Sequence, residues 1–453
     1  MIFDTRLIPK GEKEHPGLSS DIQLKVVIVS TNISTKFGGE AILPWHYFRF
    51  LRKRGVQAWL VSHERTRSEL MALLPNETDR MLFVPDRPAQ RWLHKMSRRL
   101  PQRIARMTFG FLIDLHTSVM QRGIVRGLVR THGITVVHEP IPVSPKLPSL
   151  MYGIGAPVVI GPLNGGMSYP PGFYKSEGSL ERWLIRAGRI ASHVVNFFLR
   201  GKRNAAILLV ANERTRLALP YGVTGEIIEL SENGVDLSIF ERAETVSIES
   251  RMHPRFAFVG RLVDWKGVDM LLEATARALQ DKDLELHIVG DGPMRCKLEA
   301  QAASLKLGER VVFHGFVSQK HCAKLLLDCD ALVLPSLYEC GGAVVLEAMA
   351  MGLPVIATKW GGPADYLDET TGILIEPMER GRFIDDLAVA IVKLAGSREL
   401  AHQLGESGRA RVAIEFDWEK KIDRILSIYA RAQQLKPQRQ VIRRTGVFES
   451  QFV

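Results

Sequence analysis

The first regular feature of the chain is the apolar run LKVVIVS, Leu24 to Ser30, which follows a polar, breaker-rich lead-in of about 22 residues. It shows no apolar–polar alternation, so it reads as a strand buried on both faces. A Gly38-Gly39 loop, an amphipathic stretch through Phe48 and Leu51, and a second run, VQAWLVS, complete the order strand, helix, strand of a βαβ unit. ITVVHEP around Val136 and APVVIGP around Val159 continue the series as further covered strands. A second series opens at RFAFVGRL, Arg255 to Leu262, and runs through LELHIVG, RVVFHGF, ALVLPS, LPVIAT and TGILIEP, separated by helical stretches such as MLLEATARAL. Between the series lies ELSENGVDLSIF, where apolar density drops and Asn233-Gly234 supplies a turn. The pattern predicts an α/β protein of two doubly wound, Rossmann-like domains facing a cleft, residues 1–232 and 233–414. From 415 to 453 it predicts a helix, with Trp418, Ile422, Ile425, Leu426 and Tyr429 on one face, packing back toward the first domain before a basic, unstructured tail.

Length and composition agree. The 453 residues are about three times the usual ~150 per domain. With 46% hydrophobic and 24% charged residues the chain buries a core, which excludes a disordered or collagen-like protein. Lys plus Arg exceed Asp plus Glu by 60 to 49, a net charge of +11 that favours anionic partners. Cys296, Cys322, Cys329 and Cys340 form no CxxC pair, so neither a zinc site nor a disulfide frame is indicated, and a reducing cytosol fits. The start MIFDTRLIPKGEKEHPG lacks a signal-peptide apolar run, and no stretch reaches the ~18 apolar residues of a membrane span. The expected location is cytoplasmic.

The stretch PSLYECGGAVVLEAMAMGLPVIAT carries the densest chemistry. Glu339 and Glu347 bracket a Gly341-Gly342 turn that opens a helix, where free N–H groups and carboxylates suit hydroxyl-bearing or anionic ligands. In GRLVDWKG, Arg261 and Lys266 follow a strand directly and so stand at the carboxyl edge of a parallel sheet, where two cations suit a diphosphate.

The order strand-GRL-x3-KG, VGDGP, VVFHGF, ALVLPSLYECGGAVVLEAMAMGLPVIATKWGG resembles the retaining GT-B glycosyltransferases of family four, over roughly Asn233 to Ala413. The resemblance implies that Arg261 and Lys266 hold a nucleotide diphosphate and Glu347 binds ribose hydroxyls. It puts Glu339 and the backbone of Cys340, Gly341, Gly342 and Ala343 against the donor sugar, with Gly315 and Phe316 at the base. Gly38 and Gly39 would lie near the diphosphate, and His138, in VVHEP, would orient the sugar or acceptor. The GPLNGG segment, Gly161 to Gly166, would be another cleft loop, and His63-Glu64-Arg65 could touch the acceptor. The family commonly has Glu where this chain has Asp365. The implied activity is retaining transfer of a sugar from a nucleotide-diphosphate donor to a hydroxyl acceptor, in polysaccharide or glycolipid assembly on a lipid carrier. No cofactor and no metal are expected, the nucleotide sugar being a co-substrate. The turn at Asn233-Gly234 and the tail near Phe416 would be the hinges. A non-catalytic nucleotide-sugar-binding protein and a sugar-nucleotide epimerase are the alternatives.

Asp281-Lys282-Asp283 and Asp328-Cys329-Asp330 fit a metal-binding Asp-x-Asp pattern, but one sits in a polar turn and the other ends a helix before a buried strand. VGDGPM lacks the third glycine of a dinucleotide fingerprint and no Walker loop occurs, so NAD and ATP chemistry are unsupported. Two basic amphipathic segments, Arg91 to Met107 and Arg182 to Arg203, suit an anionic membrane surface, and neither carries a nucleic-acid reader motif.

Overall fold

Thirteen short strands carry the architecture, and nearly all are apolar on both faces because helices cover both sides of their sheets. The computed structural model describes residues 23–35, 39–97, 106–176, 188, 191–240 and 253–435. The first domain holds β1 (Lys25–Val29), β2 (Gln57–His63), β3 (Met81–Val84), β4 (Val136–Glu139), β5 (Val158–Leu163), β6 (Ile207–Val210) and β7 (Glu226–Glu229), in the order β3-β2-β1-β4-β5-β6-β7. The second holds β8 (Arg255–Val259), β9 (Glu285–Val289), β10 (Val311–Gly315), β11 (Ala331–Leu334), β12 (Val355–Thr358) and β13 (Gly372–Ile375), in the order β10-β9-β8-β11-β12-β13. All pairings within both sheets are parallel. This is the GT-B arrangement that the sequence implies.

Strand order reverses between β1 and β4 in the first sheet and between β8 and β11 in the second. At such switch points the flanking loops diverge and leave a crevice at the carboxyl ends of the strands. Successive residues of β1 face opposite cores: Val26 and Ile28 join one apolar cluster, Val27 and Val29 another. The second domain has one continuous core spanning its sheet and both helical layers.

The helix Trp418–Gln434 returns to the first domain, as its spacing predicts. Trp418, Ile422, Ile425 and Tyr429 are buried in the cluster formed by β1 and the helix Leu43–Lys53. Trp418 stacks on Phe50 at 5.9 Å, meets Tyr47 edge-on at 5.1 Å and lies under the Lys421 ammonium at 4.7 Å. The chain crosses between domains twice, and the crossings are paired. Val235 N donates to Phe416 O at 2.8 Å and Trp418 N to Val235 O at 3.0 Å. Buried Lys421 caps them, donating to Ser231 O at 2.7 Å, to Glu232 O at 2.5 Å and to Asn233 O at 3.3 Å.

Parts of both basic segments lie outside the described residues, as does the tail beyond 435. What is described is the helix Pro88–Ser97, on which Trp92 is exposed, and a helical stretch at 191–198, on which Val194, Phe197 and Phe198 are exposed. No described helix is long and apolar enough to cross a membrane.

Because Trp418 fills the seam between the returning helix and the first domain, Trp418→Ala should cost about 3–5 kcal/mol. Urea unfolding followed by circular dichroism checks this: a clear drop in midpoint is expected for Trp418→Ala, and a smaller one for Trp418→Phe.

Candidate active site between the domains

Two loops at the second switch point, after β8 and after β11, are locked to one another. Leu337 N donates to Trp265 O at 2.8 Å. Gly267, at φ +68°, packs so closely on Pro335 that a Cβ there would lie 2.4 Å from its carbonyl oxygen. The VGDGP loop seals the other side. Cβ atoms at Gly290 and Gly292 would lie 1.9 Å from Gly260 O and 2.3 Å from Leu262 O, so only glycine permits this approach. These glycines therefore serve backbone packing around the GRL loop.

The locked loops bring Lys266 and Glu339 together: Lys266 Nζ pairs with Glu339 Oε2, both side chains being 15% exposed. Arg261 stands exposed on the same loop as Lys266, with no side-chain partner among the described residues. Gly342, at φ +80°, precedes the helix Ala343–Ala350, and its Cα lies against the Glu339 side chain. Glu347, on that helix, accepts from Gln319 Nε2 at 3.2 Å, and burial pushes its pKa up to about 7. Gly315, at φ +71°, and the exposed Phe316 end β10 beside Arg295. The second domain thus gathers Arg261, Lys266, Glu339, the 340–343 backbone and Glu347 along one sheet edge.

The first domain closes on this edge through residues that the sequence reading did not single out. Asn164 Nδ2, in the GPLNGG loop, donates to Cys340 O at 2.7 Å and to Glu232 Oε2 at 2.6 Å. Glu232 is buried between the domains. Desolvation, with Glu40 and Glu339 nearby, outweighs the Asn164 hydrogen bond and Lys421 and raises its pKa to about 7. Burial first, and then the Glu232 and Glu339 charges, push the Cys340 thiol up to about 12, so Cys340 stays a protonated thiol. Asp365 crosses the cleft to Asn212 Nδ2 at 2.8 Å and Arg214 Nη2 at 3.0 Å, and Trp360 Nε1 donates to Ser168 O at 2.8 Å. A sequence signal existed only for Glu232, an acid directly before the Asn233-Gly234 turn and next to apolar Leu230.

The other expected residues are placed as follows. Gly39, at φ +55°, opens a short 3-10 turn after β1 with Glu40 beside it, while Gly38 lies outside the described residues. His138 departs from expectation. It is fully buried on β4, with Nδ1 2.6 Å from Tyr429 Oη and Nε2 2.6 Å from Gly161 O. The carbonyl can only accept, so Nε2 carries the proton and the tyrosine hydroxyl donates to Nδ1. Burial lowers the histidine pKa to about 4, and neither ring nitrogen is left to meet a ligand. His63-Glu64-Arg65 caps its own turn, His63 Nδ1 accepting from Arg65 N at 3.2 Å. The two Asp-x-Asp segments lie at the amino edge of the second sheet, before β9 and β11, where Asp283 pairs with Arg310 at 2.7 Å and Asp330 accepts from Arg255 N at 2.7 Å.

Residues 241–411 match the model of the family described as glycosyl transferases group 1. Over 235 residues the chain is 32% identical to a 2-deoxystreptamine glucosyltransferase of Streptomyces kanamyceticus, covering 47% of this chain and 60% of that protein. It is 33% identical over 239 residues to a D-inositol 3-phosphate glycosyltransferase of Geodermatophilus obscurus, covering 49% and 51%. The chain thus spans about half the length of the curated relatives it matches. Its fold is similar to that of a Rickettsia africae glycosyltransferase, with TM-score 0.63, 17% identity and coverage of 90% and 98%. It is also similar to that of Anabaena HepE, solved in complex with UDP, with TM-score 0.62, 16% identity and coverage of 90% and 100%.

The buried Glu232 carboxyl sets a pH signature. Its pKa rises from 4.5 to about 7 on folding, so the folded protein holds the extra proton between those values. Stability from this group therefore falls as pH rises through that window, and the penalty is complete above about pH 7. Glu232→Gln, which cannot ionise, should gain about 1–3 kcal/mol over wild type at pH 8 and little at pH 4.5, read from unfolding midpoints at both pH values.

Proposed function

With a glycosyl transferases group 1 domain at residues 241–411 set in a GT-B fold, we propose that this protein transfers a sugar from a nucleoside diphosphate donor to a hydroxyl acceptor, with retention of anomeric configuration. The observation that carries the reading is the switch-point array of Arg261, Lys266, Glu339 and Glu347, held on mutually locked loops. Arg261 and Lys266 receive the diphosphate, Glu347 the ribose hydroxyls, and Gly315 with Phe316 the base. Glu339 and the 340–343 backbone hold the sugar. In the reaction the bond from the anomeric carbon to the diphosphate oxygen breaks and a bond to the acceptor oxygen forms on the same face. The acceptor proton passes to the departing phosphate. Negative charge grows on that phosphate in the transition state, where a guanidinium and an ammonium stabilise it in place of a metal ion. His138 has no part in the chemistry; it ties β4 to the returning helix through Tyr429.

The reading extends to the acceptor. Val194, Phe197 and Phe198 expose an apolar face, with the Arg203 guanidinium 5.0 Å over the Phe197 ring and Arg200 exposed nearby. Such a face fits an anionic membrane surface, and a lipid-linked acceptor in polysaccharide or glycolipid assembly at the cytoplasmic leaflet.

Thermal shifts with UDP, GDP, ADP and their sugar conjugates test the donor assignment. One nucleotide should stabilise the wild type, and Arg261→Ala should weaken its binding about 10–100-fold, the size of a lost charge-assisted hydrogen bond. With that donor, the anomeric proton of the product, read by NMR, should keep the donor's configuration; inversion contradicts retention. Sedimentation with vesicles tests the membrane face: binding to phosphatidylglycerol-containing vesicles, absent with phosphatidylcholine alone, should fall several-fold in the Phe197→Ala, Phe198→Ala double variant.

A further inference from the structure

The Lys266–Glu339 pair holds the ammonium that the diphosphate requires. Both side chains are 15% exposed, which leaves little room for water to replace either partner. Glu339 also stands in acidic company. Its charge and that of Glu40 both act on Glu232 and on Cys340. Lys266 is the cation that offsets it. Arg261, by contrast, has no side-chain partner among the described residues and meets an anion without breaking any contact.

We infer that Glu339 is an internal stand-in for the diphosphate, and that its competition for Lys266 makes the site prefer an intact nucleotide sugar over the nucleoside diphosphate left after transfer. The inference rests on the nucleotide-sugar reading given above. When the sugar conjugate binds, Lys266 passes from Glu339 to the phosphates and the sugar hydroxyls donate to Glu339, so both halves of the broken pair find new partners. When the nucleoside diphosphate binds alone, Lys266 leaves Glu339 with no donor, facing Glu232 and Glu40. A half-buried carboxylate stripped in this way is costly. The same arithmetic runs after the reaction. As the sugar departs on the acceptor, Glu339 regains its claim on Lys266, and the spent nucleotide loses a contact. The carboxylate that positions the sugar therefore also drives product release, without any movement of the domains.

The test is calorimetric titration of UDP, GDP and ADP, and of UDP-glucose, GDP-mannose and ADP-glucose, into wild type, Glu339→Gln and Glu339→Ala. Wild type should bind one sugar conjugate more tightly than its nucleoside diphosphate. In Glu339→Gln the nucleoside diphosphate should gain affinity while the conjugate does not, so that the ratio of the two affinities falls at least about tenfold, the size of one charge-assisted hydrogen bond. Glu339→Ala should show the same fall, and ligand-free unfolding midpoints confirm that both variants are folded. Independently of any substitution, stopped-flow dissociation from wild type should be faster for the nucleoside diphosphate than for its conjugate. A ratio unchanged by substitution, or slower release of the nucleoside diphosphate, overturns the inference and leaves the transferase reading standing. Absence of wild-type binding to all six compounds overturns both.

Discussion

Everything in the candidate site depends on one backbone constraint, the tie between the loop after β8 and the loop after β11. Leu337 N to Trp265 O, with Gly267 pressed on Pro335, fixes the separation of two loops that come from opposite sides of a switch point. A side chain at Gly267 would force them apart, and Lys266 would no longer meet Glu339. The parallel sheet creates the crevice, but this tie gives the crevice a charge pattern. Two cations stand on one loop and a carboxylate with free backbone groups on the other, an arrangement that can accept a diphosphate at one end and hydroxyls at the other.

The first domain matters to the site chiefly through polar contacts at the seam. Asn164 ties Cys340 to Glu232, Asp365 ties the second domain to Asn212 and Arg214, and Lys421 caps the backbone where the chain crosses. A buried Glu232 with only one amide donor is a weak point that burial and two neighbouring acids make pH-sensitive. Polar seams of this kind hold a closed arrangement without the permanence of an apolar interface. The paired crossings at Val235 and Phe416 leave a narrow backbone link about which the two domains can turn.

Much of this was legible in the sequence because buried parallel strands read as unbroken apolar runs: LKVVIVS, RFAFVGRL and ALVLPS became β1, β8 and β11 with their ends close to the expected places. The four-residue strands β3, β6 and β7 were not singled out, since so short a run resembles the end of a helix, and β7 alternates as an edge strand does. The donor-side residues were legible because each follows a strand directly, where chain order dictates position. Contacts across the domains were not: Asn164 to Cys340 spans 176 positions and Glu232 to Asn164 spans 68, so only packing brings them together. His138 shows the same limit. Its place at the carboxyl end of β4 was readable, but the tyrosine that occupies its Nδ1 is 291 residues away.

The central claim is that the Lys266–Glu339 pair marks where a diphosphate binds. The most direct measurement is a crystal structure of the chain with the nucleoside diphosphate sugar that stabilises it most. The account predicts phosphate oxygens within hydrogen-bond distance of Arg261 and Lys266, Lys266 drawn off Glu339, and a sugar hydroxyl in its place on the carboxylate. A nucleotide bound elsewhere, or bound here with the Lys266–Glu339 pair intact, would contradict it.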